Sequence, residues 1–461
     1  MEMAMKKEED AMEMVTFTVI VDDIVFPDGR TSMACLGGGG PQTAFGALLW
    51  LSNGERVGLA AGIGTDFPDS CRDWLKTTGV DIGGLYIWPF PTLRAWQILE
   101  DDGKRTEVWR VPVGDEVWEM LRPDLKSLPP PYQKAKTYHV GVHPSGLDVP
   151  YIRNLRNSGA EIVSVEVYTH AEEVIPRSEL QALVSAGHIF SPNEREAISL
   201  VGPGPPLELI ARLSELGAEK YMVFENPLKE IIVLRRGHLG CMVHRSDTKE
   251  TWDVPAFHTL INEGSNDDDT NRTKVQKASL EGLDVMNILD PTGCGNTFCG
   301  GFLAGWYKTR NLLTAALWGS VSASFMLEYE GVPPPRVSEW RSVAQLRFDR
   351  LRPYAKQISS NKDHLLRSSQ LRYSFQDPGE AAVLPSNTSA YAHNNAQNVL
   401  TENFTGTFLL DIQTRIIFAC IMKKVTLTCG LVLSSPTAEF RKMISTAEWT
   451  ALHRQKCGLL W

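Results

Sequence analysis

Asp290-Pro-Thr-Gly-Cys-Gly-Asn-Thr-Phe-Cys-Gly-Gly-Phe302 joins an apolar approach, Val285 to Leu289, to a helical spacing of Phe298, Phe302, Leu303 and Trp306. Its glycines therefore stand where a helix begins. A helix start leaves backbone N–H groups unpaired and carries the positive end of the helix dipole, and together these favour an anion. Gly293 and Gly295 let the backbone approach that anion closely. A phosphoryl group is one occupant; an ordinary glycine turn ahead of a packed helix is the other reading of the bare pair.

The rest of the chain supplies similar joints. Val15 to Val21 is rich in β-formers and runs into Asp22-Asp23. Gly37 to Gly40 and Pro41 then lead into a helical stretch, Ala44 to Leu51, and proline suits a first helical turn. Asp22 by itself could cap a strand end. Thr92 to Leu99 and Thr106 to Val111 flank Asp101-Asp-Gly-Lys-Arg105, a hairpin signal because Asp-Gly accepts positive φ. Thr137 to Val142, Ile152 to Leu155, Ala160 to Val167 and Leu180 to Ala186 alternate strand and helix patterns, which predicts a mostly parallel sheet with helices on its faces. Ligands of such sheets bind beyond the carboxyl ends of the strands.

Further on, Ile189 to Glu196 reads as a strand entering a helix, where Asn193 with Glu196 three residues later satisfies orphan N–H groups as a cap. Arg235-Arg-Gly-His-Leu-Gly240 joins strands at Ile231 to Leu234 and Cys241 to His244. Arg235 reads either as a phosphate contact or as a solvated side chain. Leu312 to Leu327 is a second apolar helix, ended by Gly331 and Pro333 to Pro335.

The opening string resembles the C-terminal signature of the ribokinase/PfkB carbohydrate kinases, Asp-Thr-x-Gly-Ala-Gly-Asp with a phenylalanine two places on. Asp290, Gly293, Gly295 and Phe298 fit it, whereas Pro291 replaces a threonine and Asn296 replaces the aspartate that acts as base. The other joints follow in the family's order. The resemblance implies an α/β, ribokinase-like three-layer sandwich with a mostly parallel central sheet and a small β lid over the substrate. It implies ATP-dependent phosphoryl transfer, with Mg2+, to a hydroxyl of a sugar or similar small alcohol. Asp22 and the loop Gly38, Gly39, Gly40 would bind that substrate, with Gln42 or Thr43 near the family's asparagine. Asn193, Arg235, Gly237, Gly240 and Asp290 would serve the nucleotide, and Glu196 the metal. Gly293, Cys294, Gly295 and Asn296 would form the catalytic anion pocket. Asparagine cannot ionise, so the alternative is a pseudokinase or scaffold that binds without turnover.

Length and composition set outer bounds. At 461 residues the chain can bury a large core, and a prior of about 150 residues per domain accommodates one big α/β domain with additions. The reading is an N-terminal extension (1–14), a kinase domain (15–356) with its lid hairpin at 92–111 and a disordered insertion at 262–277, and a C-terminal extension (357–461). A net charge of −9 with mixed signs argues against nucleic acid as a partner. Eight cysteines without a CxxC pair read as reduced thiols, and neither a signal peptide nor a membrane span is discernible, so the expected place is the cytoplasm. A homodimer through the lid is the expected assembly.

Overall fold

A computed structural model describes residues 11–100, 105–110, 121–218, 231–258 and 289–358. These all belong to one compact unit, Met1–Ser369. The insertion at 262–277, most of the approach from Val285, the Asp-Gly turn and the extension beyond 358 lie outside the described residues.

Two sheets organise the chain. The larger contains β1 (Met14–Phe17), β4 (Val57–Ile63), β5 (Asp81–Ile87), β8 (Thr137–Val142), β9 (Ile162–Val167), β10 (Ile189–Phe190), β11 (Ile231–Arg235), β12 (Cys241–Arg245), β13 (Glu250–Val254) and β14 (Lys356–Gln357). Their order is β14-β13-β12-β11-β10-β9-β8-β1-β4-β5. Pairing is parallel from β11 to β5 and antiparallel from β11 to β14. The smaller sheet, β3-β2-β6-β7, contains β2 (Ile20–Val25), β3 (Thr31–Gly37), β6 (Arg94–Leu99) and β7 (Arg105–Trp109).

Helices cover both faces of the large sheet because its strands alternate apolar residues between two cores. Val57, Leu59, Ala61, Ile231 and Val233 join α1 (Gly39–Leu48), α2 (Asp69–Thr78), α7 (Cys294–Thr309), α8 (Leu312–Met326) and α9 (Val337–Leu351). Val15, Phe17, Tyr138, Val140, Val163, Val165, Ile232 and Leu234 pack on the opposite side, against α3 (Val149–Asn157), α4 (Arg177–Val184), α5 (Glu194–Val201) and α6 (Pro206–Ala218). Strands buried on both faces are what a parallel sheet requires. No helix among the described residues is long and apolar enough to cross a membrane.

One expectation needs correction at the N-terminal strand. Val15 to Val21 is not a single strand ending at Asp22. Thr18 has φ 79°, and the chain leaves β1 there to enter the small sheet as β2. Asp22 accordingly sits inside β2, paired with Cys35 and Ala95, rather than capping a strand end.

The two helices that carry the glycine-rich starts meet without intervening side chains. A Cβ on Gly300 would overlap the carbonyl of Thr43, and one on Gly46 the carbonyl of Thr297. Thr43 Oγ1 donates to the Asn296 carbonyl at 3.1 Å, and Ser322 Oγ of α8 donates to that of Gly46, also at 3.1 Å. Backbone thus faces backbone along the seam between α1 and α7. Gly300→Ala should push these helices apart and destabilise the protein by about 1–3 kcal/mol, the usual cost of overpacking. Denaturant unfolding measures it, and an unchanged midpoint would show that the seam has slack.

Candidate active site

The start of α7 is built on Asp290 and Gly293. Asp290 is fully buried; its carboxylate accepts from Thr292 N at 2.8 Å and Gly331 N at 3.2 Å, tying the turn to the chain after α8. Gly293 is the N-cap with φ 81° and has no side chain to satisfy the helix start; Cys294 N donates to the Pro291 carbonyl at 3.3 Å, which leaves the next donors of the first turn for a ligand. Cys294, Gly295 and Asn296 are partly exposed. Burial raises the Cys294 thiol well above its ordinary value, so it is not a thiolate nucleophile.

Asn296 is tied to the start of α1. Its Nδ2 donates to Gln42 Oε1 at 2.6 Å, with Gln42 buried and resting on Gly293. Gly38 is the N-cap of α1 with φ 87°, and Gly39 and Gly40 form its first turn. Asn296 Oδ1 lies 3.7 Å from the point where a Cβ on Gly39 would stand. The loop Gly38 to Gly40 and the start of α7 therefore share one wall.

The small sheet supplies the acid. Asp22 is 4% exposed and accepts from Gln97 Nε2 at 2.8 Å. Burial pushes its carboxyl up to about 7, partly offset by that hydrogen bond. Gln97 Oε1 is buried without a partner among the described residues. Asp23, one residue on, points to the other face of β2, where it pairs with Arg110 and accepts from Ala34 N. Arg94 is half-buried, and its Nε likewise lacks a described partner.

Beneath the start of α7 the sheet carries polar side chains where a parallel sheet is normally apolar. On β8 and β9, His139, Ser164 and Glu166 face α7, while their neighbours Tyr138, Val140, Val163 and Val165 face away. Glu166 Oε2 pairs with Arg235 Nη1 at 3.2 Å and accepts from Cys299 Sγ at 3.4 Å. Glu166 Oε1 faces His139 Nε2 at 3.4 Å, and His139 Nδ1 meets Ser164 Oγ at 3.1 Å. Burial raises the Glu166 carboxyl, but Arg235 and His139 outweigh it and hold the group below its ordinary value.

Arg235 turns inward and lies against Gly295, so neither solvent nor a phosphate alone explains it. Its Nη2 donates to the Ser191 carbonyl at 2.9 Å and to Glu196 Oε2 at 3.3 Å. Glu196 closes a capping box with Asn193: Oε2 accepts from Asn193 N at 2.6 Å and Oε1 from Asn193 Nδ2 at 2.5 Å. Burial pushes the Glu196 carboxyl up to about 7 against the pull of Arg235. Gly237 and Gly240 lie on an exposed turn between β11 and β12, both at positive φ.

The structure thus gathers Asp22, Gly38 to Gly40, Gly293 to Asn296, Asn193, Glu196 and Arg235 around the carboxyl ends of β1, β9, β10 and β11 and the adjoining small sheet. Gln97, His139 and Glu166 were missed from sequence. The alternation Val163-Ser-Val-Glu-Val167 within a buried strand was the available signal, since a carboxylate between valines needs a reason to be there. Among the described residues, Cys35, Cys71, Cys241, Cys294 and Cys299 are free thiols.

Known proteins resemble this chain over the same region. The pattern of the pfkB family carbohydrate kinases matches residues 30–338. A cytidine kinase of Thermococcus kodakarensis is 28% identical over 297 residues, covering 64% of this chain and 88% of that protein. The ribokinase of Giardia lamblia superposes with a TM-score of 0.52 at 17% identity, over 74% of this chain and 100% of that one. A fructokinase of Vibrio cholerae O395, in a form bound to fructose, ADP and a calcium ion, gives 0.50 at 18% identity, over 69% and 94%. At these identities the two structural likenesses speak for the ribokinase-like fold.

Proposed function

The chain belongs to the pfkB carbohydrate kinase family, and from that premise we propose that it transfers the γ-phosphoryl group of ATP to a hydroxyl of a nucleoside or sugar. The observation that carries the proposal is the shared wall of the two glycine loops, with Gly39 against Asn296 and Gln42 bonded to it. Phosphoryl transfer is mostly positioning and electrostatic stabilisation. A wall common to the hydroxyl-binding and phosphate-binding loops is what in-line positioning needs.

The residues present fit a nucleotide triphosphate with Mg2+. The N–H groups of Gly295 and Asn296 at the start of α7, with the Arg235 guanidinium on Gly295, would form the cradle for its phosphates. Bound ATP and Mg2+ supply the transferable group and the cation on its oxygens. Both Glu196 oxygens are already hydrogen-bonded within the protein, so this acid would meet a cation through water. Asp22 and Gln97 would orient the acceptor, with the unpartnered Gln97 Oε1 taking a hydroxyl or amino proton as a hydrogen bond. The similarity to a cytidine kinase brings nucleosides in beside sugars.

Asn296 favours a second reading, a protein that binds nucleotide without turnover. Two measurements separate them. ATP with Mg2+ should raise the thermal midpoint, since a ligand at 100 times its Kd adds about 2.7 kcal/mol to the native state. Radiolabelled ATP should then label at least one acceptor in a panel of nucleosides and sugars. An unmoved midpoint sinks both readings; a raised midpoint with no labelled acceptor leaves the second.

A further inference from the structure

We propose that Glu166, from the central strand β9, is the carboxylate that accepts the proton of the acceptor hydroxyl in place of the missing aspartate at position 296. The inference rests on the kinase reading above.

Three observations carry it. Asn296 has no ionisable group, and its amide is engaged by Gln42, so the pocket must find its base elsewhere. Of the other described acids around it, Asp290 is committed to two backbone N–H groups and Glu196 to the capping box and Arg235, while Asp22, which accepts from Gln97 at Oδ1, stands on the small sheet. Glu166 is committed only at Oε2. Its Oε1 faces His139 Nε2 at 3.4 Å, and that nitrogen has no hydrogen-bond partner.

Gly39 supplies the third observation. Glu166 Oε1 lies 3.9 Å from the point where a Cβ on Gly39 would stand, and Asn296 Oδ1 lies 3.7 Å from the same point. Both oxygens thus flank the one methyl-sized position that the glycine leaves empty. Neither a positive φ nor a steric overlap requires glycine there. What the glycine provides is the absence of a side chain between the partly exposed wall shared by the two loops and the buried Glu166 behind it.

The step balances simply. The acceptor O–H bond breaks as its oxygen bonds to the γ-phosphorus and the bond to the β–γ bridging oxygen breaks, releasing ADP. The proton goes to Glu166 Oε1. Asn296 then orients the hydroxyl, which an amide can do.

The test uses the full chain and the acceptor found by radiolabelling. Glu166→Gln should lower kcat by about 10²–10⁴-fold, remove the acidic limb of its pH profile, and leave the thermal shift by ATP and Mg2+ in place. Adding Asn296→Asp to that variant should return kcat to within about tenfold of wild type, as a base restored at the family position would. Wild-type turnover left intact by Glu166→Gln overturns the proposal. So does a double variant that stays slow while still stabilised by nucleotide, because Glu166 would then be holding Arg235 rather than taking a proton. A wild type with no acceptor at all fails earlier, at the kinase reading itself.

Discussion

Arg235→Ala is expected to be among the most destabilising single substitutions in the protein, costing about 3–5 kcal/mol at neutral pH, the range for removing one partner of a buried ion pair. Arg235 stands between two carboxylates that are 4% and 7% exposed, so its loss strands charge in the interior. The sign with pH follows from Glu166. Its folded value lies below its ordinary one, so its contribution is present above about pH 4.3, the unfolded glutamate value, and is lost as pH falls through the folded value. In the variant the largest influence opposing burial is gone, the carboxyl rises, and protonation becomes the way out. The deficit against wild type should therefore be widest at neutral pH and narrow towards pH 4. Denaturant midpoints at the two pH values decide it; equal midpoints at pH 7 would show that water solvates the pair.

Gly293→Ala should cost catalysis more than stability. The N-cap sits at φ 81°, where a side chain costs roughly 1–2 kcal/mol. The added methyl would also overlap Gln42, which moves only by releasing Asn296. A displacement of about 1 Å at a reacting group costs on the order of 100-fold, so kcat should fall at least that far while the thermal midpoint drops by a few degrees. Full activity in a folded Gly293→Ala variant would mean that the link between Gln42 and Asn296 does not position the site.

The parallel half of the fold was legible because its determinants are local. β8 and β9 alternate within six residues each, and Gly293, Gly295 and the phenylalanines after them spell a helix start. Asn193 and Glu196 read as a cap because both partners lie within one turn, and the capping box is what forms. The crossing at Thr18 was hidden, since a positive φ on threonine carries no glycine or proline to announce it. The antiparallel edge from β12 to β14 was only partly visible; β14 is two residues long and owes its place to β13. The charge cluster was hidden for another reason. Glu166, Arg235 and His139 are brought together by the order of β8, β9, β10 and β11, and spacing along the chain does not reveal sheet neighbours.

No methyl group fits the seam where Gly46 and Gly300 bring α1 onto α7, whereas Asp22 and Gln97 sit on strands of the other sheet. The two glycine-rich helix starts are thereby held against mutation, while the small-sheet residues proposed to meet the acceptor stay free to vary. A lineage built on this plan would change what it phosphorylates by editing β2, β6 and β7. Directed evolution for a new acceptor should accordingly begin with libraries in those three strands and leave the two helix starts alone.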